Sequence, residues 1–341
     1  MKTFKYLSFL FLILFIGTSI YIAVQPNEFS FSRSRDIKAP SVLLFNKVND
    51  FKNWPEFSPW IEQEPHADLN YGDKTSGIDA YYEWNGELLG EGSVRTLNLE
   101  KNKQIEQLIT FIKPFDSNSN INWTFEPTET GTKVTWAMKG KQDFMTKMYT
   151  TFAGSIEENT SPDFDRGLYK LDSIVTAGMQ KNSVKIDGIT EYGGGFYMYK
   201  TTSVSGSNIS EVMAKQYGEI MSYMSKNNIV SNGMPFTIYN EMNPENGNII
   251  MSNAIPVMNK INVEDGSEVL CGFIPKTKVL KTTLKGNYTY LPKAWNAAKA
   301  YITQNNIATS PINPFEIYKT DPGNTPNPAD YITEVYIPLE E

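Results

Sequence analysis

Two short strings near the C-terminal end set a carboxylate among phenols: "PFEIY", residues 314–318, and "ITEVYIP", residues 332–338. Successive side chains of an extended chain alternate between faces, so Glu316 shares a face with Tyr318, and Glu334 shares one with Ile332 and Tyr336. A carboxylate beside tyrosines in a partly dry cleft either holds its proton more tightly or stands ready for a cation, which aromatic faces also attract. Glu334 is the first candidate for such a site and Glu316 the second. Trp295, Tyr288, Tyr290 and Tyr197 are candidate aromatic walls, with plain core packing the competing reading of each. As an enzyme site, Glu334 with Tyr336 would serve as base and orienting group.

Little else in the chain offers chemistry. His66 is the only histidine and lies in "EQEPHADLNYG", a polar stretch flanked by Pro and Gly that reads as a loop. Cys271 is the only cysteine, which excludes an intramolecular disulfide and a cysteine-based zinc site. "EYGGGFY" is rich in glycine but lacks the order and the following helix of a phosphate cradle. The acids of "DFDRG" and "VEDGSE" lack the alternating ligands of a calcium loop. No catalytic residue, metal ligand or cofactor is therefore assigned. A net charge of −7 with no Lys/Arg stripe gives no footprint for nucleic acid.

The elements that must position the two acids announce themselves by repetition. "NNIVSNGMPFTIY", residues 227–239, returns as "NNIATSPINPFEIY", residues 305–318. Before the first copy, Val212, Tyr217, Ile220, Met221 and Met224 mark one face of a helix; before the second, Leu291, Trp295, Ala298 and Ile302 do so. Each copy follows a strand-rich segment and precedes an apolar strand ending in Ile-Pro. Strand, helix, strand, strand thus occurs twice, over about 183–260 and 261–341. One such unit is too small to bury its apolar face alone, so the two should pack about a pseudo-twofold axis with a cleft at the seam. Aligning the Ile-Pro pairs sets Glu334 against Ser252, so the acid breaks the symmetry.

This region, residues 183–341, resembles the GyrI-like small-molecule-binding domain, also known as the AraC-type effector-binding domain. The tail carries the likeness most specifically: "GNYTYLPKAWNAAKAYITQNNI", "PFEIYKTDP" and "YITEVYIPLEE". The resemblance implies a ligand that is apolar and often a cationic aromatic, held between the halves against aromatic side chains and a buried acid. By position in the motif, Glu334 takes the role of that acid. Regulators with this domain usually carry a helix-turn-helix arm ahead of it; none stands here, which puts direct transcriptional control in doubt.

What stands there instead begins with "YLSFLFLILFIGTSIYIAV", Tyr6 to Val24, a run without charge and about as long as a bilayer-spanning helix. Its cleavage site is poor, so it reads as an uncleaved anchor over residues 1–28, with a cleaved secretory signal the competing reading. Lys2 and Lys5 precede it and Arg33, Arg35 and Lys38 follow, which leaves the membrane side open. After a short linker running into a strand come helical turns broken by Pro55 and Pro59, several strands joined by turns such as Asn85-Gly86, and a helix from about Ser161 to Ala177. Such an order predicts a curved sheet wrapped around the final helix. Over roughly residues 30–178 it resembles the SRPBCC superfamily, the START-like or polyketide-cyclase-like helix-grip fold, on "IKAPSVLLFNKVNDFKNWPEFSPW", "YEWNGELLGEGSV", "LITFIKPF" and "PDFDRGLYKLDSIV". That likeness implies an apolar cavity, for which Trp54, Trp60, Trp84, Trp123 and Trp136 are available as lining or as core.

The expectation is an α+β chain: an N-terminal transmembrane helix, a helix-grip domain over 29–180, and a duplicated βαββ domain over 183–341. Its expected function is membrane-anchored binding of a hydrophobic or cationic small molecule. The alternatives are a hydrolase- or cyclase-like enzyme using Glu334 as acid/base, and a protein-interaction module.

Overall fold

Along "TKVTWAMKGK" the buried positions are Thr132, Val134, Trp136 and Met138, the period of a strand with one dry face. The structure, a computed structural model, describes residues 2–113, 116–205, 209–242 and 248–340, and the chain divides into two units, Met1–Gly178 and Met179–Glu341.

The first unit runs α1 (Lys2–Val24), β1 (Glu28–Ile37), α2 (Ser41–Asn49), α3 (Trp54–Phe57), α4 (Pro59–Gln63), β2 (Asp68–Tyr71), β3 (Tyr81–Gly86), β4 (Gly90–Glu100), β5 (Gln104–Lys113), β6 (Ser117–Pro127), β7 (Thr132–Lys141), α5 (Phe144–Ala153) and α6 (Ile156–Met179). Its strands form one antiparallel sheet in the order β1-β7-β6-β5-β4-β3-β2. Residues 28–37, read as a linker entering a strand, are strand throughout and pair with β7 from Glu28↔Lys141 to Ile37↔Thr132.

Phe164, Leu168, Leu171 and Val175 are the buried stripe of α6. Trp123 and Trp136 face each other across the β6–β7 pair with rings stacked 4.2 Å apart, and Phe164 stacks on Trp136 at 4.1 Å, joining helix to sheet. Burial of each of these rings contributes on the order of 3–5 kcal/mol. The helix comes this close because residue 167 is glycine; a Cβ there would stand 2.7 Å from the Trp136 ring. α6 starts before the expected Ser161 and runs through Pro162, because Ser155 and Glu158 form a capping box: the Ser155 backbone N–H donates to Glu158 Oε2 (2.8 Å) and the Glu158 N–H to Ser155 Oγ (3.2 Å). α1 is apolar all round and exposed save near its C-terminal end, where Ile22 is buried. Its 23 residues reach about 34 Å at 1.5 Å per residue.

The second unit comprises β8 (Ser183–Tyr192), β9 (Gly195–Ser205), α7 (Ile209–Lys226), β10 (Phe236–Met242), β11 (Asn248–Val257), β12 (Leu270–Ile274), β13 (Thr277–Lys285), α8 (Leu291–Gln304), β14 (Phe315–Tyr318) and β15 (Ile332–Pro338). Strand order is β12-β9-β11-β10-β14-β15-β13-β8. Exchanging the two repeats, β8 with β12, β9 with β13, β10 with β14 and β11 with β15, returns the same order read backwards. The pseudo-twofold axis therefore passes between β10 and β14, whose register is Phe236↔Ile317, Thr237↔Glu316 and Ile238↔Phe315.

The doubled "NNI" is the exit of the helix in each half. Asn228 (φ 55°) and Asn306 (φ 51°) take the left-handed conformation, and the following Ile229 and Ile307 donate back to Met224 and Ile302 at 2.8 and 3.0 Å. Asparagine tolerates that conformation better than most residues, and this back-donation closes a helix C-terminus. Two details differ from expectation. Met221 of α7 is 61% exposed, and Gln216 occupies the buried face instead, donated to by Asn253 Nδ2. Tyr288 to Tyr290, which from sequence close the strand-rich segment before the second helix, form a 3-10 turn instead, because Gly286 at φ 139° turns the chain after Lys285 and the Asn287 side chain accepts the Thr289 N–H.

Candidate functional site

Strand alternation and register together sort the candidate residues of the second unit onto two faces of one sheet. On β14 and β15 the pairs are Phe315↔Tyr336, Glu316↔Val335 and Ile317↔Glu334. Glu334 thus shares a face with Phe315 and Tyr336, and Glu316 points the other way. α7 and α8 lie on the Glu316 face; among the described residues of this unit, no helix packs on the Glu334 face.

On the helix-free face, Phe236 and Phe315 form a buried floor and Tyr192, Tyr197, Tyr199 and Tyr336 stand around it. Tyr336 stacks on Phe315 at 5.1 Å and 8°, Tyr192 tilts against Phe315 at 4.8 Å, and Tyr197 meets Phe236 edge-on at 5.2 Å. Tyr192, Tyr197 and Tyr199 remain partly exposed, so these rings are reachable from solvent. Burial nevertheless pushes the Tyr197 hydroxyl up to about 12 and the Tyr336 hydroxyl higher still. Tyr197 lies over Gly272, its partner on β12, where a Cβ would stand 2.5 Å from the ring. Glu334 sits beside this group: its Oε2 accepts from Tyr336 Oη at 2.8 Å, and its Oε1 is 2.7 Å from Lys281 Nζ. The Lys319 ammonium is 3.9 Å from Oε2. The carboxylate is thus already paired with the Lys281 ammonium.

The other face holds a different object. Glu316 is 1% exposed and sits at the centre of the sheet beneath the helices. Trp295 Nε1 of α8 donates to Oε1, and the hydroxyls of Tyr239 and Tyr318 donate to Oε2, both at 2.8 Å. Burial pushes this carboxyl above the usual carboxylate range, against the opposing pull of those three donors. No ion pair reaches it among the described residues. Trp295 and Tyr217 are the pseudo-symmetric pair from the two helices. Tyr217 Oη donates to the Phe236 carbonyl (2.8 Å) and lies 3.0 Å from Thr237 Oγ1. Glu316 is thus a sealed polar core in which one strand pair is tied to α8.

Of the residues singled out from sequence, Glu334, Tyr336 and Tyr197 share the open aromatic face, while Glu316, Tyr318 and Trp295 meet beneath the helices. Tyr288 packs on Tyr318 and Tyr331 at 5.6 and 5.1 Å, and burial raises its hydroxyl to about 12. Tyr290 packs with α8, with the Lys293 ammonium 4.6 Å above its ring. Sequence reading missed Tyr192, Tyr199, Phe236 and Phe315. The alternation of Tyr197 with Tyr199, and of Phe315 with Ile317, was the available signal.

In the first unit the sheet and α6 enclose a cavity of about 260 Å³ lined by Trp54, Trp60, Tyr82, Trp84, Ile109, Met138 and others. The five tryptophans divide here: Trp54, Trp60 and Trp84 line the cavity, while Trp123 and Trp136 are fully buried core. Its polar fittings are few. Trp60 Nε1 donates to Asp163 Oδ2 at 3.0 Å, and burial raises that carboxyl. Ser117, Ser119, Thr146 and Lys141 stand at one side of the cavity, with Lys141 the exposed member. Among the described residues, no group of three metal-ligating side chains occurs.

Two family models match the chain. Residues 37–168 match "polyketide cyclase / dehydrase and lipid transport", and residues 196–340 match "GyrI-like small molecule binding domain". Among solved structures, the C-terminal domain of EcmrR is 16% identical, with 47% of this chain and 98% of that chain covered and a TM-score of 0.38. Protein CV1439 from Chromobacterium violaceum is 16% identical over 44% of this chain and 98% of its own (TM-score 0.34). Protein MLL2253 from Mesorhizobium loti is 17% identical over 43% and 98% (TM-score 0.33). No curated protein matches significantly. The chain carries a polyketide-cyclase-like domain followed by a GyrI-like domain, behind one helix long and apolar enough to cross a membrane.

Proposed function

We propose that this protein is a membrane-anchored receptor for small molecules, with an apolar or amphipathic ligand in the helix-grip cavity and a cationic aromatic ligand on the tyrosine face beside Glu334. The cavity carries the reading. Its volume is near the lower end for small-molecule sites, its walls are aromatic and aliphatic, and a few polar groups stand at one side, the arrangement that suits a ligand with one polar end. Matches to a lipid-transport family and to a small-molecule-binding domain support the same class of activity.

On the tyrosine face, four phenol rings around a Phe floor supply π surface, and Glu334 supplies the charge once Lys281 is displaced.

The test is calorimetric titration of the full chain in lipid nanodiscs with two probes, an anilinonaphthalene sulfonate and tetraphenylphosphonium. Ile109→Trp, which fills the cavity, should abolish saturable binding of the first probe and spare the second. Glu334→Gln should do the reverse. Saturable binding of neither probe, or losses that ignore this division, would overturn the proposal.

A further inference from the structure

α5 (Phe144–Ala153) carries its polarity the wrong way round for a helix on a water-exposed surface. Lys147, 5% exposed, and the partly buried Thr146 and Thr150 face the protein, whereas Phe144, Met145, Met148, Tyr149 and Phe152 are exposed, Phe152 at 75%. An exposed apolar patch of this kind marks a binding surface.

Where α5 sits says what the surface meets. Lys147 Nζ donates to the Ala23 carbonyl at 3.3 Å and to Asn27 Oδ1 at 2.6 Å, which fastens α5 across the C-terminal end of α1. Ile22 is buried at that end. If α1 crosses a bilayer, its end lies at the boundary between lipid and water, where a helix with one apolar, aromatic-bearing face lies flat. The cavity extends to the same place. Phe29, at the start of β1 just after α1, Thr146 of α5 and Ile156 of α6 line it. Lys141, the exposed lining residue, precedes Asp143, whose carboxylate caps α5 by accepting the Thr146 N–H at 2.7 Å.

We infer that α5 is a second membrane contact: it lies in the surface of the bilayer that α1 crosses and holds the mouth of the helix-grip cavity against the lipid, so that the ligand enters from the membrane. This rests on the reading of α1 as an anchor. The occupant of the α5 face is the bilayer itself, since α1 continues directly into the same surface.

The experiment uses the full chain with Cys271→Ser, reconstituted in phosphatidylcholine vesicles, with single cysteines carrying an environment-sensitive nitrobenzoxadiazole label. Phe152→Cys reports on α5, Ile13→Cys on α1 and Leu97→Cys on an exposed strand position. Met145→Cys, two turns back on the same face, repeats the measurement if Phe152→Cys does not fold. The α5 label should shift to the blue and be quenched several-fold more by nitroxide lipid labelled near the headgroup than by lipid labelled deep in the chain. The Ile13→Cys label should show the opposite depth preference, and the Leu97→Cys label neither effect. A quenched Ile13→Cys label with an α5 label that behaves like the Leu97→Cys label overturns the inference and leaves the anchor standing. An unquenched Ile13→Cys label overturns both. A blue-shifted α5 label that no nitroxide quenches means that protein, such as a second copy of the chain, covers the helix, and also overturns it.

Discussion

Thr237 and Glu316 stand directly opposite one another across the β10–β14 pair, and they are the same position of the two repeats. The pseudo-twofold axis runs between them. One half fills its side with a hydroxyl held by Tyr217, and the other with a carboxylate held by Trp295, Tyr239 and Tyr318. A charged pair on the axis would place like charges side by side in a dry interior, so symmetry is broken where its electrostatic cost is greatest.

Removal of Glu316 should be severe. Glu316→Ala leaves the buried Trp295 N–H and Tyr239 O–H without their acceptor and Tyr318 with only the Thr237 hydroxyl, 3.2 Å away, for an expected loss of about 2–4 kcal/mol. Thr237→Glu should also destabilise at neutral pH and recover in acid, where one of the two carboxyls keeps its proton. Urea denaturation followed by tryptophan fluorescence measures both, and an unaffected midpoint for Glu316→Ala would contradict the assignment.

Glu316 should also give the fold a pH dependence. Its folded carboxyl binds the proton more tightly than the unfolded chain does, because burial opposes the charge. The contribution of this group is full below the ordinary value of about 4.3 and is lost as pH rises from there through the raised folded value. Glu316→Gln cannot titrate. The stability of the natural chain relative to Glu316→Gln should therefore fall as pH climbs from about 4 toward neutrality; a difference that is flat or rises would refute the sign.

At the open face the competing cation is the point to test. Lys281→Met removes the ammonium 2.7 Å from Glu334 Oε1 and should raise affinity for tetraphenylphosphonium roughly two- to fivefold. The double variant with Glu334→Gln should return it to the level of Glu334→Gln alone. Unchanged affinity in Lys281→Met would mean that the bound cation does not use Glu334.

Gly167→Ala should destabilise the first unit by about 1–3 kcal/mol, although alanine favours a helix, because its Cβ meets the Trp136 ring. Thermal unfolding measures it, and a gain in melting temperature would show that the contact yields.

The fold was legible in the sequence where the signal is local. Ser155 and Glu158 mark the start of α6 as a capping box, although the helix was read as starting near Ser161. The two "NNI" strings mark matched helix ends, and "TKVTWAMKGK" alternates as a strand must. Met221 misled because helical spacing gives a face but not how far the neighbouring strands extend to cover it. Spacing shows that α5 has an apolar face but not that this face points away from the protein, which only the packing of Lys147 against the end of α1 decides.

The candidate site divides along the same line. Alternation alone determined that Glu316 shares a face with Tyr318, and Glu334 with Tyr336, because the side-chain period of a strand is a property of the backbone. Only the tertiary structure decided that these are opposite faces, through the register Ile317↔Glu334, and that the helices cover one of them. Each acid takes its character from that outcome. Trp295, about twenty residues away in sequence, seals Glu316 from water, while Lys281, on the neighbouring strand, neutralises Glu334 at a surface that solvent reaches. Burial and charge pairing are sums over neighbours brought together by folding, so the same residue type became a buried core acid in one strand and a cation holder in the next.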